Sequence, residues 1–103
     1  MEKKYQIQLT VYAKDDIEEI YDYIQNYSIY YAGKTKKEIE NRIADLAYML
    51  YMGRKLHNFN NYFLRELIYK SYRIIYSVNS NKIYIRRILH STRFLSPKLI
   101  KNI

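Results

Sequence analysis

The sequence is 103 residues long and contains no cysteine, two glycines and one proline, which excludes a disulfide framework, a thiolate metal site and a glycine-rich phosphate loop. At 49% hydrophobic and 27% charged residues it has the make-up of a folded chain, enough for one domain over 1–103 and too little for two. Its 18 Lys and Arg against 10 Asp and Glu leave a formal net charge of +8, a balance that attracts polyanions or acidic proteins.

Taken in order, Tyr5, Ile7, Leu9 and Val11 alternate with Gln6, Gln8 and Thr10, the pattern of a half-buried strand. Thr10 stands where a helix N-cap is needed, with Asp15 and Asp16 in the turns that follow. Ile17, Ile20, Tyr21, Ile24 and Tyr27 then fall at helical spacing opposite Asp15, Glu18, Glu19 and Asp22, predicting a helix from about Val11 to Tyr27. Ser28 to Gly33 reads as a break. A second helix follows, turning Ile39, Ile43, Leu46, Ala47 and Leu50 inward and Lys34, Lys36, Lys37, Glu40 and Arg42 outward, with Gly53 as its C-terminal cap.

Arg54 to Tyr62 is a polar loop with Leu56 and Phe59 as anchors. From Phe63 to His90 three strands are expected. Leu64, Ile68, Tyr72, Ile74, Tyr76, Val78, Ile83, Ile85 and Leu89 recur at alternate positions, broken at Lys70-Ser71 and Asn79-Ser80-Asn81. In the middle strand Tyr72, Ile74, Tyr76 and Val78 share one face, and Arg73 and Ser77 the other. The expected fold is therefore α+β in the order β-α-α-β-β-β: a helical hairpin on the apolar face of a small, mostly antiparallel twisted sheet, whose uncovered face carries guanidinium groups. Beyond it, Pro97 forbids a long regular helix, and Lys98 and Lys101 keep the end basic.

Charge is segregated along the chain. Five of the ten acids lie between Asp15 and Asp22, and none follows Glu66, whereas Lys70, Arg73, Lys82, Arg86, Arg87, Arg93, Lys98 and Lys101 all do. Arg65, Arg73 and either Arg86 or Arg87 can share a face across neighbouring strands. Guanidiniums gathered without acids repel one another, and an anionic ligand relieves that repulsion. His90, near Arg93 at the end of the last strand, is the candidate proton acceptor, while His57 stands alone in a loop. Two histidines and a solvent-facing acidic stripe make no metal constellation. No segment is long and apolar enough to span a bilayer, and the charged start MEKKYQ is unlike a signal peptide, so a cytoplasmic protein with no membrane partner is expected.

Several fragments then fall in a familiar order: Leu9-Thr10, Ala13, Asp16-Ile17, Glu19-Ile20, Tyr23-Ile24, Arg65 with Leu67, Tyr72 to Tyr76, and Ile85 to Arg93. Together they resemble the RelE/ParE toxin superfamily across nearly the whole chain. The resemblance implies the toxin of a type II toxin–antitoxin system, a protein that stops bacterial growth unless a cognate antitoxin binds it. RelE-like members cut mRNA on the ribosome with basic residues and often a C-terminal tyrosine, and ParE-like members inhibit DNA gyrase.

If RelE-like, the chain would use Arg65, Arg73, His90 and Arg93 in catalysis. Phe63, however, stands where another lysine is expected, and no tyrosine follows Tyr84. The segment Arg87 to Arg93 is similar to the ParE-side ending, although Phe94 replaces the acid common after that arginine. Arginines stabilise charge but accept protons poorly, so only His90 is left for proton transfer. The shortage favours a gyrase-directed binder, with Arg86, Arg87, Lys98 and Lys101 meeting the target. Neither branch calls for a cofactor. A plain basic nucleic-acid-binding module is the remaining reading. The expected partners are an acidic antitoxin, in a hetero-oligomer, and either gyrase or ribosome-bound mRNA.

Overall fold

The computed structural model describes residues 4–56 and 63–92. Strand β1 (Gln6–Leu9) is followed by helices α1 (Val11–Gln25) and α2 (Ile29–Asp45), then β2 (Arg54–Lys55), β3 (Leu64–Tyr69), β4 (Tyr72–Asn79) and β5 (Lys82–His90). The five strands form one sheet in the order β1-β5-β4-β3-β2. Every pairing is antiparallel except β1 with β5. The α+β architecture is the expected one, with a short strand β2 added where a loop was expected. Among the described residues no helix is long and apolar enough to cross a membrane.

Thr10 turns the chain from sheet to helix. Its backbone N–H donates to Ile85 O at 3.1 Å, and its hydroxyl lies 2.9 Å from Ile85 O and 3.1 Å from Arg86 O. The same oxygen accepts from Ala13 N at 3.2 Å, the N-cap bond expected of it. The break between helices is shorter than expected. Helix α2 already starts after Ser28, whose side chain accepts from Tyr31 N, and Gly33 is an ordinary exposed helical position with open space beside it.

Gly53 is not a helix cap, since α2 ends at the C-cap Leu46 and no described glycine has a positive φ. Instead the Tyr76 ring lies against it. A Cβ there would meet Tyr76 Oη at 2.7 Å and Glu66 O at 2.8 Å. The Tyr76 hydroxyl accepts from Gly53 N at 2.8 Å and donates to Leu50 O at 2.9 Å. One buried tyrosine thus pins the segment after α2 to the middle of the sheet.

Tight turns join β3 to β4 and β4 to β5, with Lys70 (φ 50) and Ser80 (φ 57) in the left-handed region that two-residue hairpin loops use. On the helix side of the sheet Leu67, Ile74, Tyr76, Ile83, Ile85 and Ile88 pack with Ala13, Ile17, Ile39, Ile43, Leu46 and Leu50. Ile88, not Leu89, holds the place expected of the alternating series. The register of β4 and β5 slips between Ile75 and Tyr76, leaving Arg86 as the extra residue of a bulge. A bulge resets the two-residue period, so Ile85 and Ile88 both face the helices.

The far face is not the bare cationic surface expected. Leu64, Glu66, Ile75, Ser77 and Leu89 are all buried, and the register places them on the side of Arg73. Ile68, expected inward, is exposed.

Candidate target-binding surface

The arginines read from the sequence as one cluster are divided by the register. Arg65 lies opposite Tyr76, and Arg73 opposite Ile68. Directly opposed residues point to the same side, and three residues along a strand reverse the side. Arg65 and Arg73 therefore leave opposite faces of the sheet. The two-residue turn Lys70-Ser71 already contained this parity: pairing Tyr69 with Tyr72 places 65 with 76 and 68 with 73.

Each of the two is also occupied. Arg65 donates to Gly53 O at 2.7 Å and lies over the Tyr51 ring, its Cζ 4.8 Å from the centroid. It tethers the turn before β2 to β3. Arg73 donates to Glu66, which also receives Arg54 at 2.9–3.0 Å. The Glu66 side chain is only 1% exposed. A carboxylate this buried requires paired partners, and two guanidiniums supply them. The expectation of guanidiniums gathered without an acid is corrected: Arg73 pairs with Glu66, which Arg54 meets as well.

Arg87, expected to meet a target, instead forms a two-pronged pair with Asp16 of α1, at 2.7 and 2.9 Å. The side chains are 12% and 6% exposed. The pairing holds the Arg87 guanidinium more firmly protonated than usual. Asp16, expected only as a favourable charge near the start of its helix, is turned inward.

His90 is brought to the helix-side rim, edge-on to Tyr72 with ring centroids 5.7 Å apart. Its Nδ1 accepts the Thr92 backbone N–H at 3.2 Å. The Thr92 hydroxyl oxygen lies 2.8 Å from the same nitrogen. The cleft at His90, about 380 Å³, is lined by Asp16, Glu19, Tyr23 and Tyr72, not by the arginines of the sheet. Arg93, Lys98 and Lys101 lie outside the described residues, as do His57 and Phe59.

What remains accessible is a strip along β5. Lys82 and Arg86 flank Tyr84, with Nζ and Cζ 5.4 and 5.1 Å from its ring centroid. Arg86 Nε donates to Ser77 Oγ at 3.0 Å, and among the described residues neither cation is paired with a carboxylate. Of the target-binding candidates Arg86, Arg87, Lys98 and Lys101, Arg86 is the one left without a carboxylate partner among the described residues. The spacing of Lys82 and Arg86, two residues to either side of Tyr84, is the signal in the sequence that points to this strip.

A second concavity, about 490 Å³, is lined by Tyr51, Lys55, Leu56, Phe63 and Arg65 among others. It joins exposed rings, Phe63 at 78% and Tyr51 at 68%, to two cations.

Two helices on one side of a five-stranded mixed sheet describe a small domain of the α+β class. The chain belongs to a family whose model, described as "ParE toxin of type II toxin-antitoxin system, parDE", matches residues 7–93. It is thus a ParE-type toxin that works with an antitoxin partner. Among solved structures it is similar to one titled "Chromosomal ParDE TA system from P. aeruginosa", with a TM-score of 0.72 and 21% identity over 85% of this chain and 97% of that one. No curated protein matches the sequence significantly.

Proposed function

We propose that the protein arrests growth by binding DNA gyrase rather than by cutting mRNA. The observation that carries this reading is the dispersal of Arg65, Arg73 and His90, the members of the cleavage set among the described residues. Arg65 and Arg73 leave opposite faces of the sheet, and His90 Nδ1 is engaged by the backbone N–H and hydroxyl of Thr92. Cleavage of RNA at a ribose hydroxyl needs a proton acceptor and charge-stabilising groups converging within hydrogen-bond reach. Binding needs only an accessible shaped surface, and the Lys82–Tyr84–Arg86 strip provides one. The antitoxin segment that neutralises the toxin is acidic and apolar together. The concavity of Tyr51, Phe63, Arg65 and Lys55 suits it, offering ring surface for its hydrophobic side chains and two cations for its carboxylates.

The deciding experiment is induction of the toxin with parallel assays of plasmid supercoiling and transcript integrity, repeated with purified protein and gyrase. Loss of supercoiling with intact transcripts is expected. Cut transcripts with normal supercoiling would overturn the gyrase reading in favour of ribosome-dependent cleavage.

A further inference from the structure

The tip of the helical hairpin exposes an aromatic patch away from the basic strip, with Tyr23 at its edge also lining the His90 cleft. Tyr23, Tyr27, Ile29, Tyr30 and Tyr31 are 67%, 78%, 72%, 69% and 58% exposed. They flank the short turn between α1 and α2, so they converge at one end of the hairpin. The Tyr23 and Tyr27 rings are 5.7 Å apart and those of Tyr30 and Tyr31 5.2 Å. At roughly 200 Å² per large side chain, these five leave on the order of 650 Å² in contact with water. Hydroxyls included, that is comparable with the largest patches monomers expose, about 300–600 Å², and with the ~800 Å² that each partner contributes to a standard interface.

We infer that this tip is the contact between two copies of the chain. The charges around it choose the occupant. On the α1 side stands Asp22, on the α2 side Lys34, both exposed and neither in an ion pair among the described residues. Opposite charges in equal number suit neither a nucleic acid nor a strongly acidic segment, each of which would meet a carboxylate. They do suit the same surface turned over. A two-fold axis normal to the plane of the hairpin sets α1 of one copy against α2 of the other, bringing Asp22 toward Lys34 of the second copy, and the reverse pair by symmetry. Tyrosine fits such a contact because its ring is covered while its hydroxyl stays at the wet rim.

The test is sedimentation equilibrium of the purified full chain, with circular dichroism confirming the fold of each variant. The wild type is expected to dimerise with concentration. Tyr27→Ser with Tyr30→Ser abolishes the dimer. Asp22→Lys or Lys34→Asp alone weakens it about tenfold, because symmetry repeats each exposed-pair change twice. Combining the two reversals restores it. A chain that stays monomeric at several hundred micromolar overturns the inference, as does a dimer indifferent to the charge swaps. So does a monomer whose Tyr27→Ser form loses antitoxin binding, which would assign the tip to the antitoxin.

Discussion

Arg87 and Asp16, 71 residues apart in sequence, meet through two hydrogen bonds of 2.7 and 2.9 Å on the edge of β5 where β1 has ended. The same carboxylate accepts the backbone N–H of Ile88 at 2.9 Å. Asp16 therefore completes the hydrogen bonding of an otherwise open strand edge and docks α1 against it.

Removing one partner of such a pair strands the other in a nearly dry site. Asp16→Ala is expected to cost about 3–5 kcal/mol of stability, a large part of the roughly 5–15 kcal/mol typical of a domain. Asp16→Asn keeps an acceptor for Ile88 N and should cost less. Urea unfolding followed by circular dichroism measures both. A loss below about 1 kcal/mol for Asp16→Ala, the range of exposed pairs, would mean that the site is wet.

Gly53 leads to a steric prediction. A methyl group placed 2.7 Å from Tyr76 Oη and 2.8 Å from Glu66 O cannot be accommodated without moving backbone. Gly53→Ala should destabilise by about 2–4 kcal/mol, combining overpacking with loss of a buried hydrogen bond. In a Tyr76→Phe background the same change should cost less, because the closest atom has gone. Additive losses in the double-mutant cycle would refute a direct contact.

Helix α1, the Thr10 cap, the apolar faces of β1 and β4 and both hairpin turns were legible in the sequence, because each depends on neighbours a few residues away. The site was not. Whether Arg65 and Arg73 share a face depends on strand register, and whether Arg87 is free depends on a carboxylate that only folding brings near. The paired arginines at 86 and 87 concealed a bulge, which changes the phase of every later residue in β5. The inward turn of Asp16 was not legible either, because helical spacing identifies a stripe but not which edge residue the neighbouring strand will need.

The buried Tyr76 hydroxyl sets an alkaline limit on the fold. Burial pushes its ionisation above the ordinary tyrosine value of 10, partly offset by the Gly53 N–H and the nearby Arg65 charge. A folded-state value above the unfolded one means that the contribution is fully present below about pH 10 and is lost as pH rises through the raised value. Unfolding free energy measured from pH 8 to 12 should therefore fall more steeply for the wild type than for Tyr76→Phe. Identical slopes would show that other groups govern alkaline unfolding.

The proposed gyrase contact separates two kinds of arginine. Lys82→Glu with Arg86→Glu reverses two cations around Tyr84 that have no carboxylate partner among the described residues. It should weaken inhibition of supercoiling at least tenfold, with a stability loss of about 1–2 kcal/mol because half-buried Arg86 gives up its hydrogen bond to the buried Ser77 hydroxyl. Arg73→Ala, by contrast, leaves the buried Glu66 with Arg54 alone. It should cost about 2–3 kcal/mol and, for protein that remains folded, leave inhibition near the wild-type level. Activity per folded molecule, from supercoiling titrations normalised by circular dichroism, distinguishes them. Full inhibition by the Lys82→Glu, Arg86→Glu protein would move the target surface elsewhere, and loss of inhibition by folded Arg73→Ala would move it to the far face of β3 and β4.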